Sequence, residues 1–359
     1  MRIALAAALI AAAALLAPAG QAHAWGYPGH RIVGAIADLV LRTHYPDVYR
    51  QVQAKLAVTD AAGKEVKRTL SEVAVFADCA KNEKQYCGRD ASEEERQYAL
   101  RNLEHFRFHY ADVPIEERRY VAGTAGTDEI DVVHMINYAV AQLRGRKPPK
   151  IAGVDLTDAE AVWLLAHLVG DIHQPLHVGA KYYDRDCLKG VDPNRTGHAP
   201  TFGIGEASIE TIGGNSIALT LPEPAVPPAP NLHVYWDVAA VAQAMQAAGT
   251  SSVPSAEPGF AAILAATPPA GWRTDGDVET WAAKWAGEIL PLAAQAHRKL
   301  TIRRLGAPAP GRNGKPECKW QATLDKSYQD WAKGQARLQL AKAGFRLAAL
   351  LRAIFAPGP

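Results

Sequence analysis

His167 and Asp171 stand four residues apart in the stretch WLLAHLVGDIHQPLHVG, residues 163–179. On a helix that spacing puts both side chains on one face, one turn from each other. Val162, Leu164, Leu165, Leu168 and Val169 around them are apolar, so the helix is expected to be buried. Thr157 and Glu160 fit a capping box at its start. Pro175 ends or bends it, and His177 follows the break. A carboxylate and two imidazoles meeting in an apolar setting are costly unless they are paired or hold a metal. A salt-bridged Asp–His pair inside a helical core is the alternative, and this stretch alone leaves both open.

A second pair with the same spacing, His233 and Asp237, lies beside Trp236 on an expected helix over residues 231–242. Two such pairs on separate helices arise by accident far less often than one. Further donors are scattered along the chain. His30 falls near a helix start. Asp78 follows an expected helix over residues 70–76, with Lys81 three residues on. His109 and His105 lie in the aromatic-rich NLEHFRFHYADVP, residues 102–114, read as a short extended piece ending at Pro114. His134, on a helical stretch over residues 129–143, is read as structural. With the Trp25 amine, the candidate set is Trp25, His30, Asp78, His109, His167, Asp171, His177, His233 and Asp237. Imidazole mixed with carboxylate suits zinc. The set is too large for one ion, and three ions fit if one carboxylate bridges.

The elements that must position these donors are helices. The chain has 359 residues and 48% hydrophobic content, ample for a core. Strand signal is weak throughout, so the expected fold is mainly α in one domain, residues 25–359. Residues 1–24 read as a signal peptide. Arg2 is the basic start, residues 3–16 are apolar, and Ala22-His23-Ala24 fits a cleavage site that leaves Trp25 first. The apolar run is short for a membrane span. Export to the medium or a periplasm is expected, with no membrane anchor.

The formal net charge is +2, and losing Arg2 brings it closer to neutral. No basic face awaits duplex nucleic acid, so a phosphate-bearing substrate must be held by local charge such as metal ions. Four cysteines in an exported chain imply two disulfides. Of the three pairings, Cys79–Cys87 with Cys187–Cys318 is favoured, because the first closes a short local loop. No C-x-x-C spacing supports a zinc–thiolate site.

The rest is less regular. Residues 180–230 read as irregular, with a hairpin around Gly213-Gly214-Asn215 and a glycosylation sequon at Asn194. Residues 246–275 read as a loop or insertion. A helix over 281–300, a linker over 306–316 and a last long helix over 319–355 complete the chain.

With WGxxGH at residues 25–30, Asp78 with Lys81, HYADVP, HLVGDIHQPLH, GGN, NLHVYWD and AGFRLAALL in this order, the sequence resembles the zinc-dependent S1/P1 nuclease family. The resemblance covers nearly all of residues 25–352. It implies three zinc ions in a cleft of a mainly α domain. Asp78, His109, His167 and Asp171 would bind one ion. Asp171 would also reach a second, held by the amine and carbonyl of Trp25 and by His30. His177, His233 and Asp237 would bind the third. Asp78 and Asp171 would be catalytic, and Lys81 and Asn215 would contact the phosphate region. Tyr110 would stack on a base whose edge Asp112 would bond. Single-stranded DNA and RNA and 3′-nucleotides are the implied substrates. Phe76 and Ala77 before Asp78, Tyr110 and the 246–275 stretch depart from the family pattern, which bears on base preference and substrate size. A zinc phospholipase C and an exported zinc-binding protein are the rival readings. The HYADVP segment argues against the first and the lack of His-rich tracts against the second.

Overall fold

The computed structural model describes residues 25–59, 65–81, 87, 89–195, 208–222, 227–250, 256–310 and 316–356. The expected signal peptide and Thr196 of the sequon lie outside the described residues. The chain is mainly helical. In order its α-helices are α1 (Tyr27–His44), α2 (Pro46–Leu56), α3 (Leu70–Val73), α4 (Phe76–Cys79), α5 (Glu93–Arg101), α6 (Val132–Leu143), α7 (Asp158–Asp171), α8 (Leu232–Val234), α9 (Ala240–Ala247), α10 (Glu257–Ala265), α11 (Trp281–Arg298) and α12 (Lys326–Phe355).

Apolar periodicity explains their packing. α1 buries Ile32, Val33, Ile36, Ala37, Val40 and Leu41 and packs against α12, α10, α3 and α7. α7 is buried on all sides from Glu160 to Asp171. Its start has the expected capping box. Thr157 Oγ1 accepts from the Glu160 N–H at 3.2 Å, and Glu160 Oε2 accepts from the Thr157 N–H at 2.8 Å. Such a cap contributes roughly 1 kcal/mol. The helix therefore starts in a fixed place and delivers His167 and Asp171 to the interior at its far end.

The strands are short and few among the described residues. β1 (Val58–Thr59) pairs with β2 (Glu65–Val66). β3 (Val113–Pro114) runs parallel to β4 (Gly179–Ala180) with Val113 opposite Gly179. That contact lays the segment after His109 against the segment after His177. β5 (Tyr182–Asp184) pairs with β6 (Gly190–Val191) and β7 (Ser208–Glu210), and β8 (Ile217–Thr220) with a later strand. The two expected disulfides are formed, Cys79–Cys87 and Cys187–Cys318.

Several expectations change. The Gly213-Gly214 turn does not make a hairpin. β7 joins β5, whereas β8 pairs with a strand near the C-terminal end in a separate three-stranded sheet, so the turn connects two sheets. Of the expected linker over 306–316, residues 311–315 lie outside the described residues, and the rest joins the first residues of the expected last helix in an antiparallel pair, β9 (Arg303–Pro310) with β10 (Pro316–Thr323). There Cys318, Trp320 and Ala322 alternate inward, a period of two that no helix can use. The last helix starts at Lys326, capped by Asp325 accepting from the Tyr328 N–H at 2.8 Å.

The 246–275 stretch contains α10, which buries Phe260, Ala261 and Leu264 and bonds Arg31 through Glu257 at 2.5 Å. Residues 102–114 are mostly turns, with a 3-10 turn at His105–Arg107 rather than an extended run. Asn194 accepts from the Ala125 N–H at 2.9 Å and donates to Glu117 at 3.1 Å, so its amide is engaged in holding loops together.

Candidate metal centre

His167 and Asp171 project from the buried last turn of α7. His30, one turn into α1, stacks on His167 with ring centroids 3.7 Å apart and planes 14° from parallel. Two rings so close require a nearby backbone without a side chain. Gly170 provides it: a Cβ there would stand 2.9 Å from His30 Nδ1. The same Cβ would be 3.7 Å from the Trp25 ring, which places Trp25 against His30.

Asp78 arrives from α4. The expected continuous helix breaks between α3 and α4, and the Ala74 carbonyl at the break accepts from His167 Nδ1 at 2.6 Å instead. A carbonyl only accepts, so Nδ1 carries a proton and Nε2 is the nitrogen left to face the carboxylates. His167 Nε2 faces Asp171 Oδ2 at 3.3 Å, His109 Nδ1 at 3.0 Å and Asp78 Oδ1 at 3.8 Å. Asp171 divides its oxygens: Oδ2 lies 3.0 Å from His109 Nδ1, and Oδ1 lies 3.3 Å from His30 Nε2. Lys81 Nζ bonds Asp78 Oδ1 at 2.8 Å.

His177, His233 and Asp237 form a separate group. The 3-10 turn at Pro175–His177 carries the first. The expected helix over 231–242 is interrupted: α8 is followed by a wide π-turn at Tyr235–Ala239, a form common at functional sites. The widening leaves the Asp237 carbonyl to accept from the Gly26 N–H at 2.9 Å, which ties the start of the described chain to this group. His177 Nδ1 donates to the His109 carbonyl at 2.8 Å, and His233 Nδ1 to the Gly213 carbonyl at 2.8 Å. Their Nε2 atoms then face each other at 3.0 Å, with Asp237 Oδ2 3.2 Å from His233. Gln174 Nε2 donates to Asp237 Oδ1 at 2.6 Å.

The electrostatics follow from burial. It pushes His30 far down and His109 to about 3, so both favour the neutral form a metal requires. Burial opposes ionisation of Asp171 and Asp78 too, but His167 overcomes it at Asp171 and Lys81 at Asp78, and both end lowered. At Asp237 burial wins: the Gln174 bond and Lys81 pull its carboxyl down, but Asp78 and Asp171 add to burial and it ends well up.

These residues fit a metal by an internal test. Three groups bring donor atoms within 4.8 Å of one another: His30, His167 and Asp171; Asp78, His109 and His167; and His177, His233 and Asp237. In the last group two lone pairs and a carboxylate converge, with Asp237 Oδ2 buried and without a hydrogen-bond partner. Only a cation or a proton satisfies them. The carbonyls of Ala74, His109 and Gly213 supply the outer contacts that orient ligating imidazoles.

The S1/P1 Nuclease family model matches residues 25–356. The chain belongs to the S1/P1 nuclease family. A comparison with curated proteins gives no match. Membership makes this nuclease a hydrolase acting on nucleic acid.

The remaining candidates are distributed around the groups of this nuclease. Asp112 is buried, with its N–H bonded to the Gly126 carbonyl at 2.8 Å. Burial and then Glu210 raise its carboxyl, while the Gly213 N–H bond opposes them. Half-buried Tyr110 follows His109. Asn215 Nδ2 donates to the Ile212 carbonyl at 3.0 Å, and its Oδ1 is buried without a partner.

His105 and His134 stay outside the groups. His105 packs edge-on against Tyr98, and His134 bonds Asp131 at 3.1 Å. Sequence reasoning missed Gln174 and the orienting carbonyls. Gln174 was visible within HQPLH, but nothing about a lone glutamine points to chemistry. The carbonyls leave no side-chain signal at all.

Proposed function

We propose that the protein is an exported zinc-dependent phosphodiesterase, with residues 25–359 as its mature domain. It cleaves single-stranded DNA and RNA to 5′-phosphate products and hydrolyses 3′-nucleotides. The observation that carries this reading is the facing pair His177 and His233, whose Nδ1 protons are spent on carbonyls while both Nε2 atoms converge beside Asp237.

In this reading Asp78, His109, His167 and Asp171 hold one ion. Trp25, His30 and Asp171 would hold a second. His177, His233 and Asp237 hold the third. Zinc supplies Lewis acidity there, bringing the pKa of water to around 7 and neutralising phosphate charge.

The chain's own groups do the rest. Asp78, steadied by Lys81, orients the attacking water. Lys81 and Asn215 contact the phosphate region. Tyr110 stacks on an unpaired base, which exposes a π face that a duplex conceals. Asp112, its carboxyl raised by burial, bonds the base edge. Signal cleavage after Ala24 frees the Trp25 amine. That amine and its own carbonyl can chelate, whereas an amide nitrogen has lost its lone pair to resonance.

The test is zinc analysis of the mature protein, with end-group identification on single-stranded products. Three zinc ions per chain and 5′-phosphate ends are expected. A form extended by Met-Ala ahead of Trp25 should lose one zinc and most activity. Zinc-loaded protein that cleaves phosphatidylcholine and not nucleic acid overturns the reading.

A further inference from the structure

α6 leads away from the base-binding segment. Its first N–H, on Val132, donates to the Tyr110 carbonyl at 3.3 Å. Asp128, just before it, is ion-paired with Arg107. One face of α6, carrying His134, Asn137, Tyr138 and Ala141, floors a groove of about 670 Å³. Those positions follow helical spacing, so the floor is continuous. From His134 to the end of α6 the groove runs on the order of 13 Å at 1.5 Å per residue. The loop beyond contributes Arg146, Lys147 and Lys150.

Two features distinguish this groove from an ordinary solvated face. The first is the setting of His134. Asp131 is fully buried and caps α6 through the N–H groups of Val133 and His134, each at 3.0 Å. Its Oδ1 also lies 3.1 Å from His134 Nδ1, and the Tyr120 hydroxyl donates to its Oδ2 at 2.6 Å. The inward nitrogen of His134 is thereby committed, and Nε2 is left for the groove. The Asp131 bond also raises the proton affinity of the ring. The second is Asn137, whose Oδ1 is buried without a hydrogen-bond partner at the groove floor.

The charges favour an anion. Arg146 is ion-paired with Glu279, which also approaches Arg144 at 3.9 Å. Lys147 and Lys150 are exposed and have no ion pair with a described residue. Glu129 is an opposing acid at the near end. Positive charge therefore gathers at the far end, with Tyr138 as an aromatic surface between.

We propose that this groove is an extended subsite for the phosphate backbone of a single nucleic-acid strand whose reacting nucleotide lies at Tyr110. The proposal rests on the nuclease reading above. Lys147 and Lys150 take flanking phosphates as point charges, His134 Nε2 donates to the nearer one, Asn137 Oδ1 accepts from a sugar hydroxyl or a base amino group, and Tyr138 offers a stacking face. The groove adds nothing for a substrate too short to reach it.

The test compares the zinc-loaded wild type with a Lys147→Ala/Lys150→Ala variant on a dinucleotide and on an oligothymidylate that fills the groove. Both lysines are exposed, so folding should be unchanged, and matching Tm values check this. For the dinucleotide, kcat/KM should agree within about twofold. For the oligonucleotide it should fall about tenfold at low salt. Its salt dependence should flatten by roughly 1.4 in log–log slope, about 0.7 for each lost phosphate contact on a single strand. An equal loss on both substrates, or an unchanged salt slope, overturns the groove and leaves the nuclease reading standing. A wild type that cleaves neither substrate overturns the nuclease reading, and the groove with it.

Discussion

The group around Asp171 contains its own cation, and the group around Asp237 does not. Lys81 lies 2.8 Å from Asp78, and His167, whose proton affinity its neighbouring carboxylates raise, faces Asp171. Positive charge is at hand, and both carboxyls are held low. Asp237 receives one neutral amide bond from Gln174, and burial drives its carboxyl up. The first group can therefore balance its charge internally. The second accumulates lone pairs that only a cation from outside, or a proton, can satisfy. Metal binding and folding should thus be coupled more strongly at the second group.

The largest effect should come from Asp171, whose two oxygens serve both sides of the first group. Asp171→Asn should lower turnover by at least about 1,000-fold, since several kcal/mol of charge stabilisation is at stake. It should also lower bound zinc. Full zinc with near-normal turnover would break the idea that this carboxylate joins two donor sets.

Next come two glycines, one for each group. A Cβ at Gly170 would stand 2.9 Å from His30 Nδ1. A Cβ at Gly213 would meet the Leu176 carbonyl at 2.4 Å, at a φ of +50° that already disfavours a side chain. Gly170→Ala should disturb zinc at the first group, and Gly213→Ala should cost the second group its ion by displacing His233. Zinc stoichiometry with a spectroscopic metal such as cobalt separates the two. If both variants lose the same ion, the groups are not independent.

Gln174→Ala is smaller. Losing an outer contact of this kind costs about 10- to 100-fold in metal affinity. The loss should fall on the Asp237 group alone, read by zinc release during chelator titration. Weakening of every ion equally would argue that Gln174 supports the fold at large.

The smallest effect sharpens the comparison most. In metal-free protein, Asp237→Asn removes a carboxyl whose burial requires proton uptake at a cost in stability at neutral pH, and Asp171→Asn breaks a buried ion pair. The first should raise Tm and the second lower it, each by the equivalent of roughly 1–3 kcal/mol. Thermal melts in excess chelator check this, and shifts of the same sign would remove the distinction.

Much of the candidate site was legible because its donors come in short motifs. Thr157, Glu160 and the apolar residues between them marked α7, and the i, i+4 spacing of His167 and Asp171 put both on one face. His233 and Asp237 were equally visible, though the π-turn between them was not. It depends on the Gly26 N–H drawing on the Asp237 carbonyl, a contact between residues far apart in sequence. The β9–β10 pair was missed for a related reason. Its alternation is plain only once Cys318, Trp320 and Ala322 have a core to face. α10 was missed because Ala, Pro and Gly dominate the composition around it.

The sequence by itself determined the donor types, their local spacing, the predominance of helix and a short-loop disulfide, because each is settled by residues a few positions apart. The division of the donors into two electrostatically different groups was decided by the tertiary structure. His30, Asp78, His109 and Asp171 belong to different segments, and only packing around α7 brings them within reach of one another. The orientation of each imidazole rests on a backbone carbonyl from another segment, at Ala74, His109 or Gly213. A carbonyl is chemically the same at every residue, so only the folded chain determines which one a histidine meets.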